Sequence, residues 1–282
     1  MNLSSNTPSQ PNKAVLVTGA AKRLGREIAL QFAHQGWDVA VHYGQSEQEA
    51  LKTVAEIELL GCRAKAFQAN LASEDEIKTL FSEVTTQFEN LHCLVNSASI
   101  FEYDRANSDV RLTSKKLQEH MQVNLVAPIL LSQLMFGWQT HRANNRANYK
   151  VNACAQDSLP SVIQLLDQKL INLNPDYLSY TLSKSALLTS VQLLAIDFAP
   201  VLRVVGLAPG ISLPSGDQTI EGFSQAHQMT PLEKSSTPSD IAKAAVFLAD
   251  SNAITGTTLY VDGGQHLLPS SRDVMFKTNE VQ

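Results

Sequence analysis

Of the six tyrosines in the chain, one is followed four residues later by lysine: Tyr180, with Lys184. Residues four apart share a face of a helix, so this spacing sets an ammonium beside a phenol. A neighbouring cation favours phenolate and draws the tyrosine pKa of about 10 toward neutrality, which makes the hydroxyl a usable general acid. Thirteen residues upstream, Asp167 ends the apolar run of "SVIQLLDQ". A carboxylate there can hand on a proton, although aspartate is also common in turns after strands. A lone YxxxK occurs on many ordinary helices, so its meaning depends on the elements that hold it.

A second stretch, "LVTGAAKRLGREIA", follows the first apolar run and opens a helix. Gly19 and Gly25 let the backbone bend and approach an anion, and the helix start attracts phosphate through its free N–H groups and macrodipole. Lys22 and Arg23 occupy ground where small residues are usual, next to Leu24. A site for NAD places a carboxylate at the end of the second strand to receive the ribose 2′-OH. This chain has "VHYGQS" there, with no acid between residues 41 and 46. Lys22 and the hydroxyls of Tyr43 and Ser46 suit a 2′-phosphate instead, which points to NADPH. Ser46 also suits a helix N-cap.

Around these residues, short apolar runs alternate with helical patterns. "AVLVT", "WDVAVHY", "RAKAFQ", "HCLVN", "SVIQLL", "LRVVGLA" and "TLYVDGG" read as strands. Helices are expected at about 46–60, 73–88, 113–139, 176–198 and 238–249. The last begins with Thr237, Pro238 and Asp240, a capping box with proline at N1. Continuous apolar strands alternating with helices imply a single-domain, Rossmann-type, doubly wound α/β fold with about seven parallel strands. Residues 1–12 read as a flexible tail, 13–270 as the domain and 271–282 as a C-terminal tail. Residues 140–160, polar and without period, read as an insertion loop.

Composition narrows the function classes. The 282 residues are 44% hydrophobic and carry a net charge of −5, which suggests neither a nucleic-acid nor an anionic-membrane partner. Residues 123–138 are the most apolar stretch, too short and too interrupted by Asn124, Pro128, Ser132 and Gln133 to span a bilayer. Cys62, Cys93 and Cys154 lack metal-ligand spacing and read as reduced thiols, so a cytoplasmic protein without a metal is expected.

Order and spacing together resemble the short-chain dehydrogenase/reductase family over nearly the whole chain. The matching pieces are Thr18, Gly19 and Gly25; Asn96, Ser97, Ala98 and Ser99 after the fourth strand; Asn124 in "VNLVAP"; Tyr180 and Lys184; Pro209 and Gly210; and the terminal "VDGG". The resemblance implies a nicotinamide-dependent reductase with a Tyr180, Lys184 and Asn124 centre. Lys184 would also hold the nicotinamide ribose, and Asn124 would support a proton-relay water. His42, Asn70, Leu71, Asn96, Ser97, Ala98, Pro209 and Gly210 fall at cofactor-binding positions. The family's long helices, here 113–139 and 176–198, imply a homotetramer.

Three departures look like the pteridine reductase branch and its dihydromonapterin reductase relatives. Asp167 replaces the usual serine, "NSASIF" replaces NNAG, and the turn reads "GAAKRLG". "HYxxS", from His42 to Ser46, also looks like that branch. By this resemblance Arg23 walls both cofactor and pterin, Phe101 stacks the pterin against the nicotinamide, and Ser99 bonds pterin or phosphate. Phe101 as a core ring and Ser99 as a turn residue remain open. Asp167 and Tyr180 would together protonate a ring nitrogen of a dihydropterin substrate while NADPH reduces the adjacent carbon. Gly44 and Gln45 stand where the branch carries a basic residue, and Asn70 stands where the family has an acid. The competing expectations are a carbonyl reductase acting on 3-oxoacyl thioesters and a cofactor-binding regulator without turnover.

Overall fold

The computed structural model describes residues 12–148, 158–214 and 218–278. Seven strands form one sheet: β1 (Ala14–Val17), β2 (Asp38–Tyr43), β3 (Ala64–Gln68), β4 (Leu91–Asn96), β5 (Ser161–Leu165), β6 (Arg203–Pro209) and β7 (Thr258–Val261). They pair in the order β3-β2-β1-β4-β5-β6-β7, every pair parallel. The winding direction reverses between β1 and β4, which opens a crevice at their C-terminal ends.

Alternation along the strands divides the core. Val15, Val17, Val39, Val41 and Ile163 pack with Ile28 and Phe32 of α1 (Arg23–His34) and Ile241 of α8 (Pro238–Asp250). Leu16, Ala40, Leu94 and Val162 face the other side, with Leu80 of α3 (Glu74–Gln87) and Leu131 of α5 (Ala127–Asn148). Burial on both faces explains why the strands read as continuous apolar runs. The expected capping box at α8 is formed, with Thr237 and Asp240 each accepting from the other's amide.

Three regions depart from the sequence-based expectation. The helix expected at 113–139 is α4 (Ser114–Met121), a π-helical turn (Gln122–Val126) and α5, which runs on to Asn148. Residues 140–148 are therefore helix rather than insertion loop, while 149–157 lie outside the described residues. Their polar composition hid the helix, which is held by contacts of Arg142 with the Trp138 ring and the Glu89 carbonyl. By length and hydropathy the stretch Ser114–Asn144 reaches the size of a membrane-spanning helix, longer than the apolar run suggested. One side of it sits on the sheet, where Ala127, Leu131 and Met135 are fully buried.

The C-terminal tail is the third departure. Residues 271–278 are docked and include α9 (Val274–Thr278), held by the buried Asp176 carboxylate. That carboxylate accepts from Arg272 Nε at 2.9 Å and from the Asp273 amide at 2.8 Å. Burial opposes its charge, but these donors hold its pKa below the ordinary carboxylate value.

Helix α6 (Leu178–Asp197) starts against another buried acid. Asp104 accepts from the Ser179 amide at 2.9 Å and from the Ser179 hydroxyl, and its own carbonyl accepts from Leu178 N–H. A carboxylate at a helix N-terminus is favoured by the free N–H groups and the dipole. Asp104→Ala leaves both Ser179 donors buried and unmatched, so we expect a loss of about 2 kcal/mol in urea unfolding. A loss below about 0.5 kcal/mol would remove Asp104 as the anchor of α6.

Candidate active site

The turn after β1 is built by close contacts that only glycine allows. A Cβ on Gly25 would lie 2.3 Å from the Gly19 carbonyl oxygen, and one on Gly19 would meet Ala98 Cα at 3.0 Å. Gly19 also has a φ of +67°. Thr18 ties this turn to the end of β4: its hydroxyl accepts from the Ser97 and Ala98 amides at 2.9 and 3.0 Å. His42 braces the turn from β2, with Nδ1 accepting from Gly19 N–H at 3.1 Å and Nε2 donating to the Ala69 carbonyl at 3.1 Å. Burial lowers the His42 pKa to about 4, so the ring is neutral at pH 7. Its two bonds then fix one tautomer. His42 is a brace under the turn, and among these bonds none is left for a ligand.

Arg23 begins α1 in the left-handed region, at φ 54°. That conformation costs a non-glycine residue about 1 kcal/mol or more. The side chain is exposed and donates from Nη2 to the Pro214 carbonyl at 3.0 Å, across the cleft mouth. Lys22 pairs with Glu49 at 3.2 Å on the first turn of α2 (Glu47–Leu59). Ser46 is the N-cap of α2, but its side chain makes no cap bond.

At the other end of the cleft, Tyr180 OH donates to Asp167 Oδ2 at 2.9 Å, and Asp167 Oδ1 accepts from the Lys169 amide at 2.9 Å. Asp167 follows β5, whereas Tyr180 lies in the first turn of α6. Lys184 donates from Nζ to the Leu165 carbonyl at 2.6 Å, with its ammonium 5.9 Å from the Tyr180 ring centre.

The electrostatics reverse the expectation drawn from Tyr180 and Lys184 alone. Burial, followed by the Asp167 charge and hydrogen bond, pushes Tyr180 well above 10 rather than toward neutrality. Burial raises the Asp167 carboxyl as well, against the lowering effects of the Lys169 amide and charge and the Tyr180 bond. Burial lowers Lys184 to about 8, with Asp167 opposing. A carboxylate bonded to the phenol stabilises its protonated form, and this outweighs an ammonium directed at a backbone carbonyl.

Other expected site residues divide between the cleft and its supports. Asn124 Oδ1 accepts from Ile100 N–H at 2.7 Å, while Nδ2 donates to the Ile100 carbonyl at 2.9 Å and to Ser183 Oγ at 3.0 Å. Its side chain therefore clamps the loop after β4 to α6 and is committed to protein partners. Asn96 is turned under the sheet end, donating to Gln164 at 3.0 Å. Leu71 belongs to the core, and Asn70 Oδ1 accepts from the Ala72 amide. Tyr43 and Ser46 lie at the end of β2 beyond the cleft lining.

Ser97, Ala98, Ser99, Phe101, Pro209 and Gly210 line the cleft, which has a volume of about 840 Å³. Phe101 is 41% exposed, too open for a core ring. It stacks on Tyr177 at 4.1 Å and meets the Tyr180 ring edge-on at 4.7 Å. The sequence reading missed the far wall, formed by Arg272, Asp273, Met275 and Lys277 of the C-terminal segment. Its anchor joins positions 96 residues apart, a pairing that no local pattern discloses. Among the described residues, no cluster of His, Cys, Asp and Glu could hold a metal.

Comparison with known proteins gives a consistent family with differing substrate classes. A family model described as enoyl-(acyl carrier protein) reductase matches residues 19–266. The 3-oxoacyl-acyl-carrier-protein reductase FabG of Staphylococcus aureus is 30% identical over 268 residues, covering 90% of this chain and 98% of that protein. FolM alternative dihydrofolate reductase 1 from Brucella canis, solved with NADP, superposes with a TM-score of 0.80 at 31% identity, covering 93% of this chain and 97% of that one. The Brucella suis enzyme of the same name, also with NADP, gives 0.79 at 32% identity, covering 92% and 97%.

The Asn124 clamp has a direct readout. In Asn124→Ala the Ile100 amide should exchange with solvent at least about tenfold faster, because its buried acceptor is gone. Unchanged exchange at Ile100 would mean that the loop is held by other contacts.

Proposed function

The chain belongs to the short-chain dehydrogenase/reductase family, and from that premise we propose that this oxidoreductase is an NADPH-dependent reductase of dihydropterins. The observation that carries the reading is the part-buried Asp167–Tyr180 bond at the end of a cleft walled by Arg23 and Phe101. A carboxylate facing the substrate suits the N–H donors of an aminopyrimidine ring, whereas a serine hydroxyl suits a ketone oxygen. Phe101 offers a flat face and Arg23 a planar cation to the same heterocycle.

The residues present fit the cofactor. The glycine cradle at Gly19 and Gly25 admits a backbone approach that a Cβ would block. For the 2′-phosphate, the unused Ser46 hydroxyl stands at the N-terminus of α2, and Lys22 exchanges Glu49 for the phosphate. Lys184, buried beside Tyr180, is the donor for the nicotinamide ribose. When bound, NADPH supplies the hydride for the C=N carbon.

Tyr180 stays protonated at neutral pH, so it is poised to give its proton to the substrate ring nitrogen. Asp167 orients that hydroxyl and shares the proton, and the pair regains one proton from solvent in each turnover. Lys184 keeps a positive charge next to the pair and limits the cost of its transient anion. Phe101 and the C-terminal wall exclude water from the reacting edge. The outward apolar residues Leu193 and Ile196 of α6 support a homotetrameric assembly through its long helices.

The test is NADPH absorbance loss with dihydrobiopterin, dihydromonapterin, dihydrofolate and an acetoacetyl thioester. Turnover of dihydropterins without the thioester is expected; the reverse pattern would identify a carbonyl reductase, as the FabG relative would suggest. Asp167→Ser should lower pterin kcat by about a hundredfold or more. Delivery of a proton requires the protonated pair, so the rate should be full below its apparent pKa and fall as pH rises through it. Burial, then the Asp167 charge, raise Tyr180, the proton donor of the pair, and therefore move this alkaline limb above the ordinary phenol range. Full pterin turnover by Asp167→Ser would contradict the assignment.

A further inference from the structure

Within a chain of net charge −5, the cleft is lined by six cations and two acids. Five of the cations already have a task or a partner. Lys22 pairs with Glu49, Arg23 donates to Pro214, and Lys184 donates to Leu165 beside Tyr180. Lys169 lies 3.6 Å from Asp273 and donates to the Asp176 carbonyl at 2.7 Å. Arg272 is held by Asp176. The sixth, Lys277, has no hydrogen bond or ion pair among the described residues, although it sits half-buried on the wall opposite the cofactor turn.

That wall is a built element. Besides the Asp176 anchor, Tyr177 OH donates to Met275 Sδ at 2.8 Å, and the Phe276 ring packs edge-on against Tyr103 at 5.2 Å. Tyr177 in turn stacks on Phe101, so the surface that carries Lys277 is continuous with the proposed pterin platform. Asp273, the one acid on that wall, accepts from the Met275 amide with Oδ1 and faces Lys169 with Oδ2. It forms no ion pair with Lys277, whose charge remains available.

We propose that Lys277 receives the anionic tail of the substrate, so that the preferred dihydropterin carries a carboxylate-bearing side chain rather than a neutral polyol. This rests on the pterin reading of the site and narrows its substrate class to folates. A neutral side chain would leave a half-buried ammonium unmatched, whereas a glutamate carboxylate gives it a charge-assisted hydrogen bond.

The experiment compares dihydrofolate with dihydrobiopterin in wild type, Lys277→Gln and Lys277→Arg. Lys277→Gln should raise KM for dihydrofolate about tenfold relative to KM for dihydrobiopterin, with kcat for both retained. Lys277→Arg should restore most of the difference. Added salt should raise the dihydrofolate KM in wild type more than in Lys277→Gln. Equal effects on the two substrates, or none, would overturn the tail subsite and leave the pterin reading standing. Failure of wild type to reduce either substrate would overturn both.

Discussion

The hydrogen bond from the Tyr180 phenol to the Asp167 carboxylate is the contact on which the rest of the site depends. It joins the end of β5 to the first turn of α6 and lies part-buried in the lining of the cleft. A desolvated carboxylate without a donor is costly, and on the mechanism proposed above the two groups act as one proton-holding unit. Lys184 is not the dominant influence on the phenol. Its ammonium gives one hydrogen bond to the Leu165 carbonyl and is itself brought down to about 8 by burial.

Two other buried acids hold that unit in position. Asp104 fixes the start of α6 through Ser179, and Asp176 fixes the C-terminal wall through Arg272 and the Asp273 amide. Between them Tyr177 occupies a left-handed backbone position, φ 55°, with its ring between Phe101 and the C-terminal segment. This strain is sustained because both flanks are anchored. On the opposite side, Thr18 and neutral His42 hold the glycine turn against β4 and β3. The cleft thus has two walls, each braced from behind by side chains bonded to the protein itself.

Much of this was legible in the sequence, and the reasons differ by element. The parallel sheet covered by helices on both faces follows from apolar runs buried on both sides, as with Val15 to Val17 and Val39 to Val41. Spacing placed Tyr180 and Lys184 on one helix face and Asp167 at a strand end, and all three line one cleft. Spacing could not disclose the sign of the Tyr180 shift, because the sign depends on which neighbour the phenol actually bonds. Nor could it separate binding residues from braces: His42 and Asn124 have the right types at the right positions, yet their side chains are committed to the protein. The docked C-terminal segment was hidden because its anchor, Asp176, joins distant parts of the chain. The extension of α5 was hidden because only one stripe of a helix must be apolar.

The most direct test of the account is an NMR titration of ¹³Cζ-labelled tyrosine, following the Tyr180 signal in the wild type and in Asp167→Asn. The phenol should stay protonated beyond pH 10 in the wild type. Its pKa should move down in the variant, since removal of the Asp167 charge withdraws an influence that raises it. A wild-type Tyr180 that titrates near neutrality, or one that Asp167→Asn leaves unmoved, would contradict the claim that the carboxylate and phenol work as a single unit.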